Sequence, residues 1–245
     1  MIEINISNVN LAPFRRMIGS VVQAIDLDDP PVLGILCNGS VPLGLATDAS
    51  DLDLCVCCDA AISRFLRRIL DGQAVDVHFE DARWLRGTRP PYGEAALFML
   101  ANAAVLWERE AALSVHVVSA TEQFSKLAPA LSHWDRFQIA IDCSTSLRRF
   151  SDSIGNANLP FLLGGLLERA VEATLRLNRR WYLDTGHGMR DLQSCLPDLA
   201  IRLSRIAAAG EPRTISREMS EYLSDLFDER MPLEQWDSGI INHEK

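Results

Sequence analysis

Acidic residues alternate with leucines in one apolar segment of the chain, Asp51-Leu-Asp53-Leu, and a third acid follows in Val-Asp76-Val. Both segments have the short apolar character of buried β-strands. Because alternate side chains of a strand share a face, Asp51 and Asp53 are predicted to point the same way, and Asp76 on a neighbouring strand completes a cluster. Clustered carboxylates repel each other unless cations neutralise them. The residues therefore favour a divalent-metal site.

A glycine-serine pair interrupts the apolar strand that precedes these acids. That strand is predicted over residues 32–37 and ends at Asn38-Gly39-Ser40, where a short helix is expected to begin. The free backbone N–H groups at the start of a helix bind anions such as phosphate. A metal site beside a phosphate site predicts that the chain binds a nucleotide.

The sixteen residues from Gly39 to Leu54, read together, resemble the signature of the DNA polymerase β-type nucleotidyltransferase superfamily. Their spacing is similar to that of the small minimal and aminoglycoside-modifying branch. The resemblance implies an α/β (α+β) nucleotidyltransferase domain with a small mixed sheet. Many members of this branch carry arginine where this chain has Leu43, just before Gly44.

The resemblance also assigns roles to individual residues. The glycine-serine turn would hold the triphosphate, two aspartates on one strand would hold two Mg²⁺ ions, and the third aspartate would bind the ion nearer the acceptor. The residues that the resemblance places in catalysis, metal binding or nucleotide binding are Gly39, Ser40, Ser50, Asp51, Asp53 and Asp76.

The charge of the chain bears on its partners. Its 33 acidic residues outnumber 24 lysines and arginines, which gives a net charge of −9. Binding to a nucleic-acid polymer rests on clustered basic residues, so such a polymer is not the expected partner. The basic residues are almost all arginines, with Lys126 the only internal lysine. The arginines considered for phosphate contacts are Arg67, Arg68, Arg83, Arg86, Arg148, Arg149, Arg179 and Arg180.

Hydropathy and cysteine content indicate the compartment. The longest apolar stretches are shorter than a membrane span, and the first residues do not resemble a signal peptide. The six cysteines show no metal-type pairing with histidines and are interpreted as small buried hydrophobes in a reducing compartment. A cytoplasmic protein with no membrane partner is expected.

The apolar periodicity changes near residue 120, which predicts an α/β domain over residues 1–120 and an all-α helical bundle over residues 121–245. The resemblance implies that the first is the nucleotidyltransferase catalytic domain and that the second binds the acceptor. In the first domain, helices are predicted over 11–25, 60–70 and 92–101, strands over 51–58, 74–79 and 104–107, and either type over 113–118. In the second domain, helices are predicted over 121–131, 134–151, 159–182, 189–209 and 215–227.

One predicted helix carries a second resemblance. Its segment Leu-Asn178-Arg179-Arg180-Trp181-Tyr182 is similar to a Leu-Asn-Arg-Arg-aromatic segment of kanamycin-type nucleotidyltransferases. Since ligands often bind between domains, we expect Arg179 or Arg180 to line the cleft opposite Asp51 and Asp53 and to contact the bound substrates, with Trp181 or Tyr182 as a packing wall. The open alternative is a helix whose leucines and Trp181 pack in the core while both arginines face water.

Two functions follow. The first is an Mg²⁺-dependent nucleotidyltransferase that moves a nucleoside monophosphate, with AMP expected, from a nucleoside triphosphate to a hydroxyl of a small molecule such as an aminoglycoside or a biosynthetic intermediate. The second is a minimal nucleotidyltransferase of toxin–antitoxin type that binds or modifies a partner protein. A helical domain fused to the first half of the chain favours the self-contained enzyme.

Overall fold

The computed structural model describes residues 4–6, 12–88, 90–183 and 185–233, and these residues form a mixed α/β fold. The chain separates into two compact units, Met1–Lys126 and Leu127–Lys245. The elements of the first unit are α1 (Ala12–Gln23), β1 (Val32–Asn38), β2 (Leu52–Cys58), β3 (Ser63–Leu70), β4 (Gln73–Asp81), a 3₁₀ turn (Arg83–Leu85), α2 (Glu94–Ala101), β5 (Ala104–Glu108) and α3 (Ser114–Phe124).

The strands of the first unit make one five-stranded sheet in the order β3-β4-β2-β1-β5. The central pair, β2 and β4, is parallel, and the other three pairs are antiparallel. The sheet is therefore mixed, which agrees with the small mixed sheet that the resemblance implies. A tight turn joins β3 to β4, which are antiparallel partners, and β4 also pairs with β2. The acid-bearing segments of β2 and β4 are therefore direct neighbours.

The two faces of the sheet differ in chemistry. On one face α1 supplies Phe14, Ile18 and Val22, which join the alternate apolar residues of β1, β2 and β4 in a buried core. Their removal from water is the main stabilising contribution to this unit. The opposite face is apolar toward β5. Leu113 packs on Gly34 so closely that a Cβ atom at residue 34 would clash with the Leu113 side chain. The same face is polar at the end of β2 that carries Asp53.

The predicted helix over residues 60–70 is wrong, because this segment is strand β3. Its partly buried residues Ile62, Leu66 and Leu70 are four apart, a spacing that fits one face of a helix and also every second position on one face of a strand. The deciding signal is Asp71-Gly72, with φ of 52° and 84°. Two consecutive left-handed residues make a tight hairpin turn, and this turn pairs β3 with β4.

The short helix expected after Gly39 is also not formed. Residues 39–44 are a succession of turns in which the Gly44 N–H donates to the Val41 carbonyl and the Leu45 N–H donates to the Ser40 carbonyl. Gly39 and Gly44 both have left-handed φ values, 73° and 69°. Any anion bound at this turn would therefore meet backbone groups of a glycine turn and not the first turn of a helix.

The second unit, described by itself, is helical. Its buried core includes Leu147, Phe150, Val171, Leu203 and Tyr222. A capping box at Ser132 begins its first helix. Its helices are α4 (His133–Asp152), α5 (Leu159–Leu177), α6 (Thr185–Cys195), α7 (Pro197–Ala207) and α8 (Pro212–Phe227).

Three of the predicted helix boundaries in this region are wrong. Residues 121–131 are not one helix, since α3 begins earlier, at Ser114, and ends at Phe124. The span 189–209 is divided between α6 and α7, because Pro197 lacks the N–H that would continue α6 and takes the first position of α7. The helix predicted to reach residue 182 ends at Leu177.

The prediction of buried cysteines is confirmed for five of the six. Cys37, Cys55, Cys57, Cys58 and Cys143 are buried, and Cys195 is half-buried. Burial raises the pKa of Cys37 and of Cys143 to about 12, so both remain protonated thiols near neutral pH. Among the described residues, no helix has the length and apolar content needed to cross a membrane.

Candidate metal centre

The centre is built from polar residues that lie side by side across four strands. On the parallel pair, Asp53 of β2 and Asp76 of β4 are Cα partners. On the outer sides, Arg67 of β3 is the partner of Asp76, and Asn38 of β1 is the partner of Asp53. Paired residues of adjacent strands point to the same face. The sheet therefore presents a row of one cation, two carboxylates and one amide.

Asp51 joins this row from the residue just before β2. One carboxylate oxygen each of Asp51, Asp53 and Asp76 lies within 4.8 Å of the others. The three differ in exposure, since the residue Asp76 is only 8% exposed whereas the side chain of Asp51 is 47% exposed. The cluster is thus anchored in the sheet at Asp76 and open to solvent at Asp51.

Gly39 adjoins the same carboxylates from the end of β1. Its φ of 73° favours glycine, and a Cβ at this position would overlap Asp53 Oδ2. The turn therefore brings backbone against the Asp53 carboxylate, an approach that a larger residue would prevent. The sequence-predicted pair of features, the glycine turn and the acids, is brought together in the structure.

Arg67 supplies positive charge to the cluster. Its Nε lies 3.3 Å from Asp76 Oδ1, and its Nη2 lies 3.6 Å from Asp51 Oδ2. Three ionised carboxylates and one guanidinium carry a net charge of −2. Two carboxylate oxygens that lie within 4.8 Å of each other repel by roughly 3.5 kcal/mol or more at an effective dielectric constant of about 20. A divalent cation would balance the remaining charge.

The residues present fit a hard divalent cation. Three carboxylates from neighbouring strands are the oxygen donors that Mg²⁺ prefers. Asp76 Oδ1 and Asn38 Oδ1 are buried and lack a hydrogen-bond partner among the described residues, although Asp76 Oδ1 has the ionic contact with Arg67. Buried oxygens are nearly always satisfied by a partner or a bound ion. An ion at this centre would satisfy Asp76.

Comparisons with known proteins give little further information. No protein-family model and no curated protein matches the chain. Among solved structures it is similar to a nucleotidyltransferase-like protein from Exiguobacterium sibiricum 255-15, with 16% identity and a TM-score of 0.38, over 87% of this chain and 73% of that chain. A likeness of this degree does not establish a shared fold. The site geometry must therefore carry any functional proposal.

The pKa of Asp53 reflects the burial and the charges of this centre. Its pKa is raised above the ordinary value of 3.8, first by burial and then by the nearby charges of Asp51 and Asp76. Electrostatic interactions with His78 and Arg67 act against this rise in the pKa of Asp53. The ionised form of Asp53 is thus less favourable here than in water, and a bound cation would offset this difference.

The two serines predicted to bind the nucleotide occupy different settings. Ser40 lies half-buried in the turn next to Gly39. The hydroxyl of Ser50 accepts a 2.9 Å hydrogen bond from the Thr47 N–H, while its own N–H donates to the Thr47 carbonyl. Ser50 thus closes the loop that precedes Asp51, and its role in nucleotide binding stays a prediction.

Arg179 and Arg180 terminate α5. Arg179 has a left-handed φ of 57°, its N–H donates to the Arg176 carbonyl, and the Arg180 N–H donates to the Leu175 carbonyl. This is the Schellman pattern of a helix end. The Arg179 Nε also donates to the Ala128 carbonyl at 3.2 Å. One of the two predicted arginines therefore has a structural role within the second unit.

The sequence did not predict that Arg67 and Asn38 belong to this row, although Arg67 is among the arginines considered for phosphate contacts. Arg67 was placed on a predicted helix, where it would not share a sheet face with Asp76. The signal that could have found it is Asp71-Gly72, since a two-residue turn fixes the register of the hairpin and makes residue 67 the partner of residue 76. Asn38 adjoins the glycine turn, but its pairing with Asp53 depends on the register of β1.

Proposed function

We propose that the protein is an Mg²⁺-dependent nucleotidyltransferase that transfers a nucleoside monophosphate, with AMP expected, to a hydroxyl group of a small molecule. The observation that carries the proposal is the juxtaposition of three aspartates on neighbouring strands with a glycine turn that adjoins Asp53. The resemblance of residues 39–54 to the DNA polymerase β-type signature gives this arrangement its chemical interpretation. Aminoglycosides and hydroxylated biosynthetic intermediates are the acceptor classes proposed.

The proposed roles follow the position of each residue. Asp51 and Asp53 would hold two metal ions, and Asp76 would hold the ion nearer the acceptor. The backbone at Gly39 and the backbone and hydroxyl of Ser40 would contact the β- and γ-phosphates. When bound, Mg²⁺ ions stabilise charge on the attacking and leaving oxygens of an in-line displacement.

In the proposed reaction the acceptor oxygen forms a bond to the α-phosphorus, and the bond from that phosphorus to the bridging oxygen of the β-phosphate breaks. Pyrophosphate leaves with the electron pair of that bond. The proton of the acceptor hydroxyl passes to a nearby base, for which Asp76 is the candidate in this centre. No covalent bond to the protein is required.

The acceptor site is proposed for the helical unit. The first unit commits its glycine turn and its aspartates to nucleotide and metal. Arg180, with Trp181 or Tyr182 beside it, is the proposed contact, and Arg179 is a weaker candidate because its guanidinium already donates to Ala128.

The experiment that tests the proposal follows label transfer. The protein is incubated with Mg²⁺, each α-labelled nucleoside triphosphate in turn and a panel of hydroxylated acceptors that includes aminoglycosides, and both labelled acceptor and released pyrophosphate are measured. We expect transfer by the wild type and by the control Asp48→Asn, whose side chain is exposed in the preceding loop, and none by Asp53→Asn. Transfer that survives in Asp53→Asn or in excess chelator would contradict the proposal.

A further inference from the structure

Arg67 is placed to interact with more than its two aspartates. It is a direct Cα partner of Asp76 on the outer strand of the sheet, and it contacts Asp76 and Asp51 with different nitrogens of one guanidinium. Its side chain is nevertheless 55% exposed. Part of the cation therefore faces the solvent beside the open side of the cluster.

The contacts of Arg67 with the acids are loose. The 3.6 Å separation from Asp51 exceeds hydrogen-bond distance, and the 3.3 Å approach to Asp76 lacks hydrogen-bond geometry. In the pair with Asp51 both side chains are about half exposed, and an exposed ion pair contributes little to stability. A divalent cation that binds the same oxygens would compete with the guanidinium and leave it free to take another anion.

The glycine turn on the other side of the cluster contributes no positive side chain. The turn from Gly39 to Gly44 reads Gly-Ser-Val-Pro-Leu-Gly and has no basic residue. In the first unit Arg83 pairs with Asp81, and Arg86 pairs with Asp59. Arg68 belongs to the opposite face of β3, where it lines a cavity with Leu66 and Val75. Among these arginines of the first unit, Arg67 is the one that contacts the cluster.

We propose that Arg67 is the phosphate-binding cation of this site and that it exchanges partners, releasing Asp51 and Asp76 to a divalent metal and binding the triphosphate that the metal accompanies. The planar fork of a guanidinium matches two phosphate oxygens, which favours this exchange over a purely structural ion pair. The inference rests on the proposed function, since it requires that a metal-bound triphosphate occupies the centre.

The test compares Arg67→Ala with Arg68→Ala, a matched change of the next arginine on the other face of the same strand. Two affinities are measured by titration calorimetry, that of Mn²⁺ alone and that of inorganic tripolyphosphate in saturating Mg²⁺, which avoids any dependence on the nucleotide base. Arg67→Lys is included because it keeps the charge and loses the fork. Circular dichroism and thermal unfolding establish that each variant is folded.

The expected result is a loss of at least tenfold in tripolyphosphate affinity for Arg67→Ala, a smaller loss for Arg67→Lys and less than a twofold change for Arg68→Ala. The affinity of Arg67→Ala for Mn²⁺ alone should be equal to or severalfold tighter than that of the wild type, because a competitor has been removed. Tripolyphosphate affinity within twofold of wild type in Arg67→Ala, equal losses in both alanine variants, or weaker Mn²⁺ binding in Arg67→Ala would overturn the inference.

The role of Arg67 and the proposed function are refuted by different results. A wild type that binds tripolyphosphate with Mg²⁺ while Arg67→Ala binds it equally well refutes the role of Arg67 and leaves the proposed function standing. A wild type that binds no tripolyphosphate under any metal condition refutes the proposed function and, with it, the inference on Arg67.

Discussion

Asp53 and Asp76 are direct partners across the parallel strands β2 and β4, and both carboxylates point to the same face of the sheet. Their mutual repulsion, with that of Asp51, raises the pKa of Asp53 beyond the effect of burial. The pair therefore lowers the stability of the first unit when no cation is bound to it. A functional site that carries such a cost is expected to recover it on binding its ion.

Replacement of Asp53 by asparagine tests this relationship. In excess chelator, the free energy of unfolding of Asp53→Asn should exceed that of the wild type by about 1 kcal/mol, because one of three crowded charges is gone. The variant should therefore unfold at a higher denaturant concentration. Addition of Mg²⁺ should stabilise the wild type more than the variant. Urea unfolding with and without Mg²⁺ measures both effects. If Asp53→Asn is no more stable in chelator, or gains as much from Mg²⁺ as the wild type does, the carboxylate is not a crowded metal ligand.

The close approach of Gly39 to Asp53 predicts a second effect. Gly39→Ala should lower both stability and Mg²⁺ affinity, because the new Cβ overlaps Asp53 Oδ2 and the left-handed φ is unfavourable for alanine. Gly72→Ala is the matched control, since Gly72 also has a left-handed φ and its Cβ would meet nothing within 4 Å. The control should lose about 1–2 kcal/mol from backbone strain alone and keep its Mg²⁺ affinity. Equal Mg²⁺ affinities for the two variants would show that the contact with Asp53 is unimportant.

Glu108 predicts a defined pH dependence at the start of α3. Burial raises its pKa, but hydrogen bonds from the Ser114 hydroxyl and from the N–H groups of Ser114 and Leu113 outweigh burial and leave the pKa below its ordinary value of 4.5. A carboxylate with a lowered pKa stabilises the folded state above its unfolded pKa, and that contribution is lost as the pH falls through the folded pKa.

Glu108→Gln should therefore cost about 1 kcal/mol at pH 7, and the difference from wild type should shrink as the pH falls below 4.5. Urea unfolding over a pH series measures this change. The exposed neighbour Glu110 gives the control, because Glu110→Gln should have a small effect at every pH. A cost for Glu108→Gln that stays constant down to pH 3 would mean that the charge of the carboxylate does not contribute.

Replacement of Arg179 and replacement of Arg180 should have different effects, the first on stability and the second on acceptor binding. Arg179→Ala removes the bond from its guanidinium to Ala128 and should cost about 1 kcal/mol of stability. Arg180→Ala should leave stability nearly unchanged and weaken the binding of the acceptor, which would appear as a higher KM for the acceptor at constant kcat. Unchanged kinetics for Arg180→Ala with any accepted substrate would remove this residue from the proposed acceptor site.

The acid-bearing strands could be predicted because their signal is local. Alternating polar and apolar residues fix which side chains share a strand face, so Asp51 and Asp53 could be placed together from the sequence. The third acid, Asp76, follows in a second apolar strand, and parallel pairing with β2 brings it level with Asp53. The glycine at position 39 marked the turn, although the turn does not lead into a helix.

The remaining features depend on tertiary structure or on ambiguous local patterns. The spacing of Ile62, Leu66 and Leu70 fits a helix and a strand equally, so the strand that carries Arg67 was not recognisable from periodicity. Helix α5 ends where Arg179 adopts a left-handed backbone conformation. In most helices a glycine takes this position and marks the end in the sequence. The pairing of Asn38 with Asp53 requires the register of two strands.

The proposed function requires that the three aspartates bind a nucleoside triphosphate through divalent metal. Titration calorimetry of the wild type with each nucleoside triphosphate, first in Mg²⁺ and then in excess chelator, tests it most directly, with Asp53→Asn as the matched variant. We expect binding in Mg²⁺, at least tenfold weaker binding in chelator, and a comparable loss in Asp53→Asn when Mg²⁺ is present. Triphosphate binding of equal affinity in Mg²⁺ and in chelator, or in the wild type and Asp53→Asn, would contradict it.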